Sequence, residues 1–284
     1  MHPLNPYHDA APDFADLARK SGKLTSPVVD FRDGEALRSL TEATLEHDFG
    51  LRVRLRDDRL CPPVPNRLNY IAWLQEVLEQ TRHTAQIRFL AHNVSEDNVA
   101  EKPAKRARTG RDDDDEVRVL DIGTGSSCIY PILAAALHGW QFLATDIDAS
   151  SLETARTTIE DERNNGQSQA RLTRGRALDL RSRIHLVQRD PLDGLLLTHD
   201  DLATYHLDRL SWPGSAHGLV YHAVMCNPPF YSSGEEMQAS ADLKEAKPSA
   251  ICDGSAGEMV CAGGEVGFIS RIIAESRALG DEVM

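Results

Sequence analysis

Cysteine is scarce: Cys61, Cys128, Cys226, Cys252 and Cys261 are odd in number, scattered, and without any Cys-x-x-Cys spacing. That excludes a disulfide framework and a zinc site, and points to reduced thiols in a cytosolic or nuclear protein. Long apolar runs are missing too. No stretch approaches the roughly 18 residues that a membrane helix needs. The amino terminus, with Pro3, Pro6, Asp9 and Pro12, lacks the basic and then apolar order of a secretory signal. An overall basic excess is also absent. The net charge is -13, the wrong sign for gripping phosphates by bulk charge.

The distribution of charge qualifies that. Residues 1–111 hold 17 Lys and Arg against 16 Asp and Glu, so the acidic excess belongs to residues 112–284. Within that acidic part, Arg163, Arg171, Arg174, Arg176, Arg181, Arg183 and Arg189 have only Asp179 among them as a counter-charge. Charge alone leaves two readings open, a basic patch for nucleic acid and a solvated Arg-rich loop.

A chain of 284 residues accommodates one sizeable α/β domain and an appended segment. Residues 1–92 read as a helical amino-terminal segment. The apolar positions Ala36, Leu37, Leu40, Ala43 and Leu45 fit a helix, Cys61-Pro-Pro-Val-Pro an extended connection, and Leu68 to about Gln80 a second helix. Residues 93–116 form a flexible charged linker, whose cluster Lys102 to Arg108 resembles a short nuclear-import signal, a pattern with many false positives, with a solubilising loop as the plainer reading. Residues 117–284 form the catalytic domain. Strands are expected at Val117 to Ile122, Gln141 to Thr145, Ile184 to Gln188 and Leu219 to Cys226, with helices at Cys128 to Leu137, Ser151 to Glu162 and Glu265 to Leu279. This alternation predicts a Rossmann-like parallel sheet covered by helices on both faces, with 163–183 and 191–217 as insertions.

The chemistry gathers at strand ends. Asp121-Ile-Gly-Thr-Gly-Ser-Ser is a glycine turn between strand and helix that lets a ligand approach the backbone. It lacks the third glycine of a dinucleotide fingerprint and suits an adenosyl amino acid at least as well. About 25 residues on, Asp146 ends the next strand, where an acid accepts from ribose hydroxyls or else caps the following helix. Asn227-Pro228-Pro229-Phe230 directly follows the apolar strand ending Met225-Cys226. There the Asn227 oxygen and the Pro228 carbonyl can accept from one amino group while Phe230 stacks on a base. A tight turn closed by a core Phe is the plainer alternative.

Together with Pro12-Asp-Phe-Ala, His47-Asp-Phe-Gly-Leu, Val64-Pro-Asn-Arg-Leu-Asn-Tyr-Ile, Phe142-Leu-Ala-Thr-Asp and Gly263-Gly-Glu-Val-Gly-Phe-Ile, these motifs resemble the methyltransferase-like 16 family. Its eukaryotic members modify U6 small nuclear RNA, and its bacterial relatives methylate an adenine of large-subunit ribosomal RNA. The resemblance covers nearly the whole chain apart from the linker and the two insertions. It implies an S-adenosyl-L-methionine-dependent enzyme that forms N6-methyladenosine in a structured RNA, acting in the nucleus and also in the cytoplasm, without an obligate protein partner. Asn227, Pro228, Pro229 and Phe230 would be catalytic. Arg67, Gly123, Ser127, Asp146, Asp190 and Asn227 would hold the cofactor, with Arg67 clamping its carboxylate. Pro12, Asp13, Phe14, Arg171, Arg174, Arg176 and Arg189 would hold RNA.

The chain departs from the family in carrying Asp146 where Glu is usual. It also ends at Met284, where the family continues, so the sheet is expected to lack its carboxyl-terminal strands. Two other readings stand beside this one. The first is N-methylation of a DNA adenine or a protein glutamine, although glutamine-modifying relatives more often have Tyr in the last motif position. The second is a non-catalytic RNA-binding protein.

Overall fold

The computed structural model describes residues 1–13, 15–17, 30–95, 116–167, 170–173, 177–198, 201–205, 221–242 and 255–279. Helix α1 (Gly34–Thr44) starts where the Asp33 carboxylate accepts from the Glu35 and Ala36 amides, satisfying donors that a first helical turn leaves open. It widens into a π-helical turn, Leu45–Phe49, closed by Gly50 in the left-handed conformation. Helix α2 runs Val64–Ser95, starting before the expected Leu68 because Pro65 lies in the first turn, where a missing N–H costs nothing. It also passes the 92/93 boundary assigned to the linker.

The central strands are β1 (Arg118–Ile122), β2 (Gln141–Asp146), β5 (Ile184–Gln188) and β6 (Ala223–Cys226). They pair in the order β5-β2-β1-β6, every pair parallel. This is the predicted Rossmann-like sheet, four-stranded among the described residues. Between β1 and β2 runs α3 (Ile129–His138), and after β2 runs α4 (Ala149–Glu160). The stretch 163–183, expected as an insertion, contains a small antiparallel hairpin, β3 (Asn165–Gln167) with β4 (Ala177–Asp179). It ends in one helical turn, Leu180–Arg183. After β6 come α5 (Gly234–Asp242), a single turn at Ala256–Met259, and α6 (Gly264–Leu279).

Side chains on one strand alternate between two apolar layers, as a period of two requires. Val119, Phe142 and Ala144 enter one cluster, Leu120, Ile122 and Leu143 the other. The first cluster also contains Tyr7, Leu45, Phe49, Leu68 and Ile71, so parts of the amino-terminal segment share a core with the sheet. The second is covered by Phe268, Ile272 and Leu279 of α6. The order of strand addition reverses at β1, which leads outward to β2 and β5 on one side and has β6 on the other. That switch point opens a crevice at the carboxyl ends of the strands.

Candidate active site

The glycine turn, Asp146, Asp190 and Asn227 all fall at or just beyond carboxyl ends of β1, β2, β5 and β6. Gly123 takes φ +71° with nothing within 4 Å of the position a Cβ would occupy. The turn thus offers open space beside bare backbone, in a conformation that side-chain-bearing residues avoid. Its amide and that of Thr124 are spoken for, both donating to the Thr145 carbonyl at 2.9 Å. Ser127 is buried just before α3, and Cys128 adopts a left-handed conformation, φ +46°.

Asp146 accepts from the Gly125 amide at 2.8 Å and from the Asp148 amide at 2.9 Å. Capping α4 falls instead to Asp148, which accepts from Ser150. The capping alternative for Asp146 is thereby removed, and its carboxylate is fixed against the glycine turn. Burial raises its pKa. Asp190 is exposed, its carboxylate taken up by a turn to the Leu192 amide at 2.9 Å.

Arg67, on the first turns of α2, donates from one terminal nitrogen to the Tyr130 hydroxyl at 2.8 Å and to Asn227 Oδ1 at 3.2 Å. No carboxylate of the described residues lies in ion-pair range of it, and its Nε is buried without a partner, so the surface salt bridge that could also explain it is absent. Asp121, which sequence reasoning placed in a motif without giving it a role, is 1% exposed with Oδ2 unpartnered. Burial, aided by the nearby Asp146 charge, pushes its carboxyl up to about 7, against a Thr124 hydrogen bond and the Arg67 charge. A lone acid between Leu120 and Ile122 in a fully buried strand was the available signal. Orphaned buried polar atoms of opposite sign, beside an open glycine turn and a fixed acid, suit a ligand carrying a carboxylate, an ammonium group and a ribose.

Asn227 is held by Arg67, and Phe230 is 44% exposed at the crevice. The backbone beyond is braced: Tyr231 bridges to Val260, its amide donating to the Met259 carbonyl at 2.9 Å and its carbonyl accepting from Cys261 at 3.0 Å. Gly264, at the start of α6 with φ +60°, would place a Cβ 3.3 Å from the Ser232 nitrogen and 3.5 Å from the Phe230 oxygen. Any side chain there would push the Asn227–Phe230 loop away, which accounts for the Gly263-Gly264 motif.

Among the described residues, those expected to hold RNA do not form a free basic patch. Arg189 is 6% exposed at its side chain, paired with Asp201 at 2.8 Å and bonded to the Gly194 carbonyl. These partners enclose the guanidinium, whose Nε is buried without a hydrogen-bond partner. Arg171 pairs with Asp48 at 2.8 Å, though half of its side chain is exposed. Arg163, Arg181 and Arg183 pair with Asp161, Glu162 and Glu116, counter-charges that lie outside the short span first counted or come from another element. Pro12 and Asp13 lie at the surface, where the Asp13 carboxylate accepts from the Asp16 amide. Phe14, Arg174 and Arg176 lie outside the described residues, as does the cluster at 102–108. No helix of the described residues is long and apolar enough to cross a membrane.

A family model described as RNA methyltransferase matches residues 1–96, 104–181 and 215–284. A U6 small nuclear RNA (adenine-(43)-N(6))-methyltransferase of Schizosaccharomyces pombe is 33% identical over 88% of this chain and 49% of its own length. RNA N(6)-adenosine-methyltransferase METTL16 of Homo sapiens is 31% identical over 98% of this chain and 41% of its own length. Ribosomal RNA large subunit methyltransferase F of Pseudomonas savastanoi pv. phaseolicola is 31% identical, covering all of this chain and 75% of its own. The chain thus spans less than half the length of those two eukaryotic relatives. Among solved structures, the human METTL16 catalytic domain in complex with an RNA hairpin from the MAT2A 3'UTR superposes with a TM-score of 0.69 at 30% identity, covering all of this chain and 79% of that one. The N-terminal domain of human METTL16 in complex with SAH superposes at 0.60 with 28% identity.

Proposed function

The chain belongs to this RNA methyltransferase family, that of the METTL16 proteins and the bacterial ribosomal enzymes, and from that premise we propose that it forms N6-methyladenosine in a structured RNA, using S-adenosyl-L-methionine. The observation that carries the proposal is the convergence of Asn227, Arg67, Asp121, Asp146 and the glycine turn on one crevice. S-adenosyl-L-methionine, when bound, supplies an electrophilic methyl group. Arg67 would take its carboxylate, Asp121 its ammonium group, and Asp146 its ribose, with Gly123 leaving room, while Ser127 and Asp190 border the same edge. Asn227 Oδ1 and the Pro228 carbonyl would accept the two amine hydrogens of an extruded adenine, holding the nitrogen lone pair toward the methyl. Pro229 stiffens that loop and Phe230 stacks on the base. No strong base is needed, because the amine becomes acidic as it is methylated and gives its proton to water. Catalysis is then positioning and charge complementarity.

U6 small nuclear RNA and ribosomal RNA are the substrates proposed, on the strength of the relatives named above, and the nucleus is the proposed site of action. Arg171, Arg174 and Arg176, with Pro12, Asp13 and Phe14, are the proposed RNA contacts. Residues 1–92 are proposed to serve RNA binding, 93–116 to act as a linker, and 117–284 to carry the chemistry. The test is to incubate the chain with total RNA and methyl-labelled S-adenosyl-L-methionine and map the label. Label on N6 of one adenosine is expected; no incorporation would leave an RNA-binding protein without turnover.

A further inference from the structure

One guanidinium serves three directions at once. The terminal nitrogen of Arg67 that donates to the Tyr130 hydroxyl, 2.8 Å away, also donates to Asn227 Oδ1 at 3.2 Å. The Tyr130 ring meanwhile lies 5.4 Å from the guanidinium carbon. Nε is buried and unpartnered. A planar guanidinium presents separate edges, so a carboxylate taken at the Nε edge leaves the Asn227 bond in place. Arginine can only donate, so the amide atom facing Arg67 has to be the oxygen rather than the nitrogen of Asn227. An amide oxygen has two lone pairs. With one on Arg67, the other is free for an amine hydrogen.

We propose that Arg67 and Tyr130 are positioning residues for Asn227, fixing which way round its amide lies and passing the presence of the cofactor carboxylate to the amine-binding loop. Tyr130 is built for this. It sits at the start of α3, only 6% exposed, with its ring edge against Tyr70 at 5.4 Å between centroids. Its ring is thus packed against both Tyr70 and Arg67, which restrains where the hydroxyl lies. A carboxylate at Nε restrains the guanidinium further, so the loaded site presents Asn227 in one orientation and the empty site does so less firmly. The loaded site is thereby set for methyl transfer, and the effect is carried by kcat rather than by the affinity of either ligand. The inference rests on the RNA adenine methyltransferase reading given above.

The experiment uses the full chain, a U6 small nuclear RNA transcript and S-adenosyl-L-methionine. Tyr130→Phe keeps the ring, its contact with Tyr70 and its face toward Arg67, and removes only the hydroxyl. A hydrogen bond to a charged group is lost, so kcat is expected to fall about tenfold. The KM for RNA should hold, and S-adenosylhomocysteine affinity by calorimetry should stay within about threefold. Arg67→Lys keeps a charge for the carboxylate but not the fork, and is expected to lose at least as much kcat. An unchanged kcat in Tyr130→Phe overturns the proposal. So does a raised kcat, which would mean that Arg67 competes with the amine for Asn227, and so does a loss of homocysteine-ligand affinity as large as the loss of kcat. Failure of the unmodified chain to bind S-adenosylhomocysteine or transfer methyl would instead remove the reading beneath it.

Discussion

Replacing Asp121 with Asn tests whether this acid is a cofactor ligand held in readiness rather than a structural group. Its side chain is fully buried, and burial pushes its carboxyl from 3.8 up to about 7. Between those values the folded chain keeps a proton that the unfolded chain has lost. Stability therefore falls as the pH rises through that window, by about 1.4 kcal/mol per unit, and is flat above it. Over the whole interval the ionised carboxylate costs about 4 kcal/mol, and about 3 of that accrues above pH 5. Asparagine has nearly the same shape and does not titrate. The unfolding free energy of Asp121→Asn, relative to the unmodified chain, should accordingly improve by up to about 3 kcal/mol between pH 5 and pH 8, read by urea denaturation without cofactor. At pH 8 the same substitution should weaken S-adenosylhomocysteine binding about tenfold, since the ammonium loses its counter-charge. Parallel stability curves for the two proteins across this range would refute the reasoning, because they would mean that Asp121 titrates as it does in the unfolded chain.

Asn227→Ala should reduce methyl transfer by about 100-fold or more while leaving RNA affinity in a gel-shift assay unchanged; retained turnover would remove Asn227 from its role. Gly123→Ala asks a side chain to adopt φ +71°, a cost of about 1–2 kcal/mol, and aims the new methyl into ligand space. A fall of a few degrees in Tm and a much larger loss of S-adenosylhomocysteine affinity are expected, and intact affinity would show that the ligand lies elsewhere. Asp48→Ala leaves the buried Tyr7 hydroxyl and Arg171 without their acceptor and should cost about 3 kcal/mol by urea denaturation. Burial alone would raise the Asp48 pKa, but hydrogen bonds from Arg171, Tyr7 and His47 hold it low. The penalty should therefore be present at neutral pH and shrink on acidification below the ordinary aspartate range; a penalty independent of pH would count against the ion-paired form.

The sheet could be read in advance because strands buried on both faces appear as continuous apolar runs, and because Gly123, Gly125 and the Pro228-Pro229 pair punctuate where they end. Helix α2 was harder. Pro63 and Pro65 signal an extended chain until one knows that the second falls in a first helical turn, which depends on how Leu68 and Ile71 pack on Tyr7 and Phe49, far away in sequence. The hairpin β3 and β4 was hidden by its polar composition, since three-residue strands carry too little alternation to register.

Charge was the least legible property, for a geometric reason. Counting along the chain sums residues that are neighbours in sequence, whereas electrostatic interaction falls off with distance in space. Arg171 meets its partner Asp48 across 123 positions, and Arg183 meets Glu116 across 67. Arg189 is enclosed, its guanidinium paired with Asp201 and bonded to the Gly194 carbonyl. The same long-range closure explains why Asp121 and Tyr130 escaped notice. Tyr130 is not odd in composition, and Asp121, though a lone acid in an apolar strand, gains a role only because α2, arriving from the amino-terminal segment, brings Arg67 to the same crevice. Residues 1–92 therefore bear on the chemistry directly: without α2 the crevice would keep its acids and its glycine turn but lose the cation that orients Asn227.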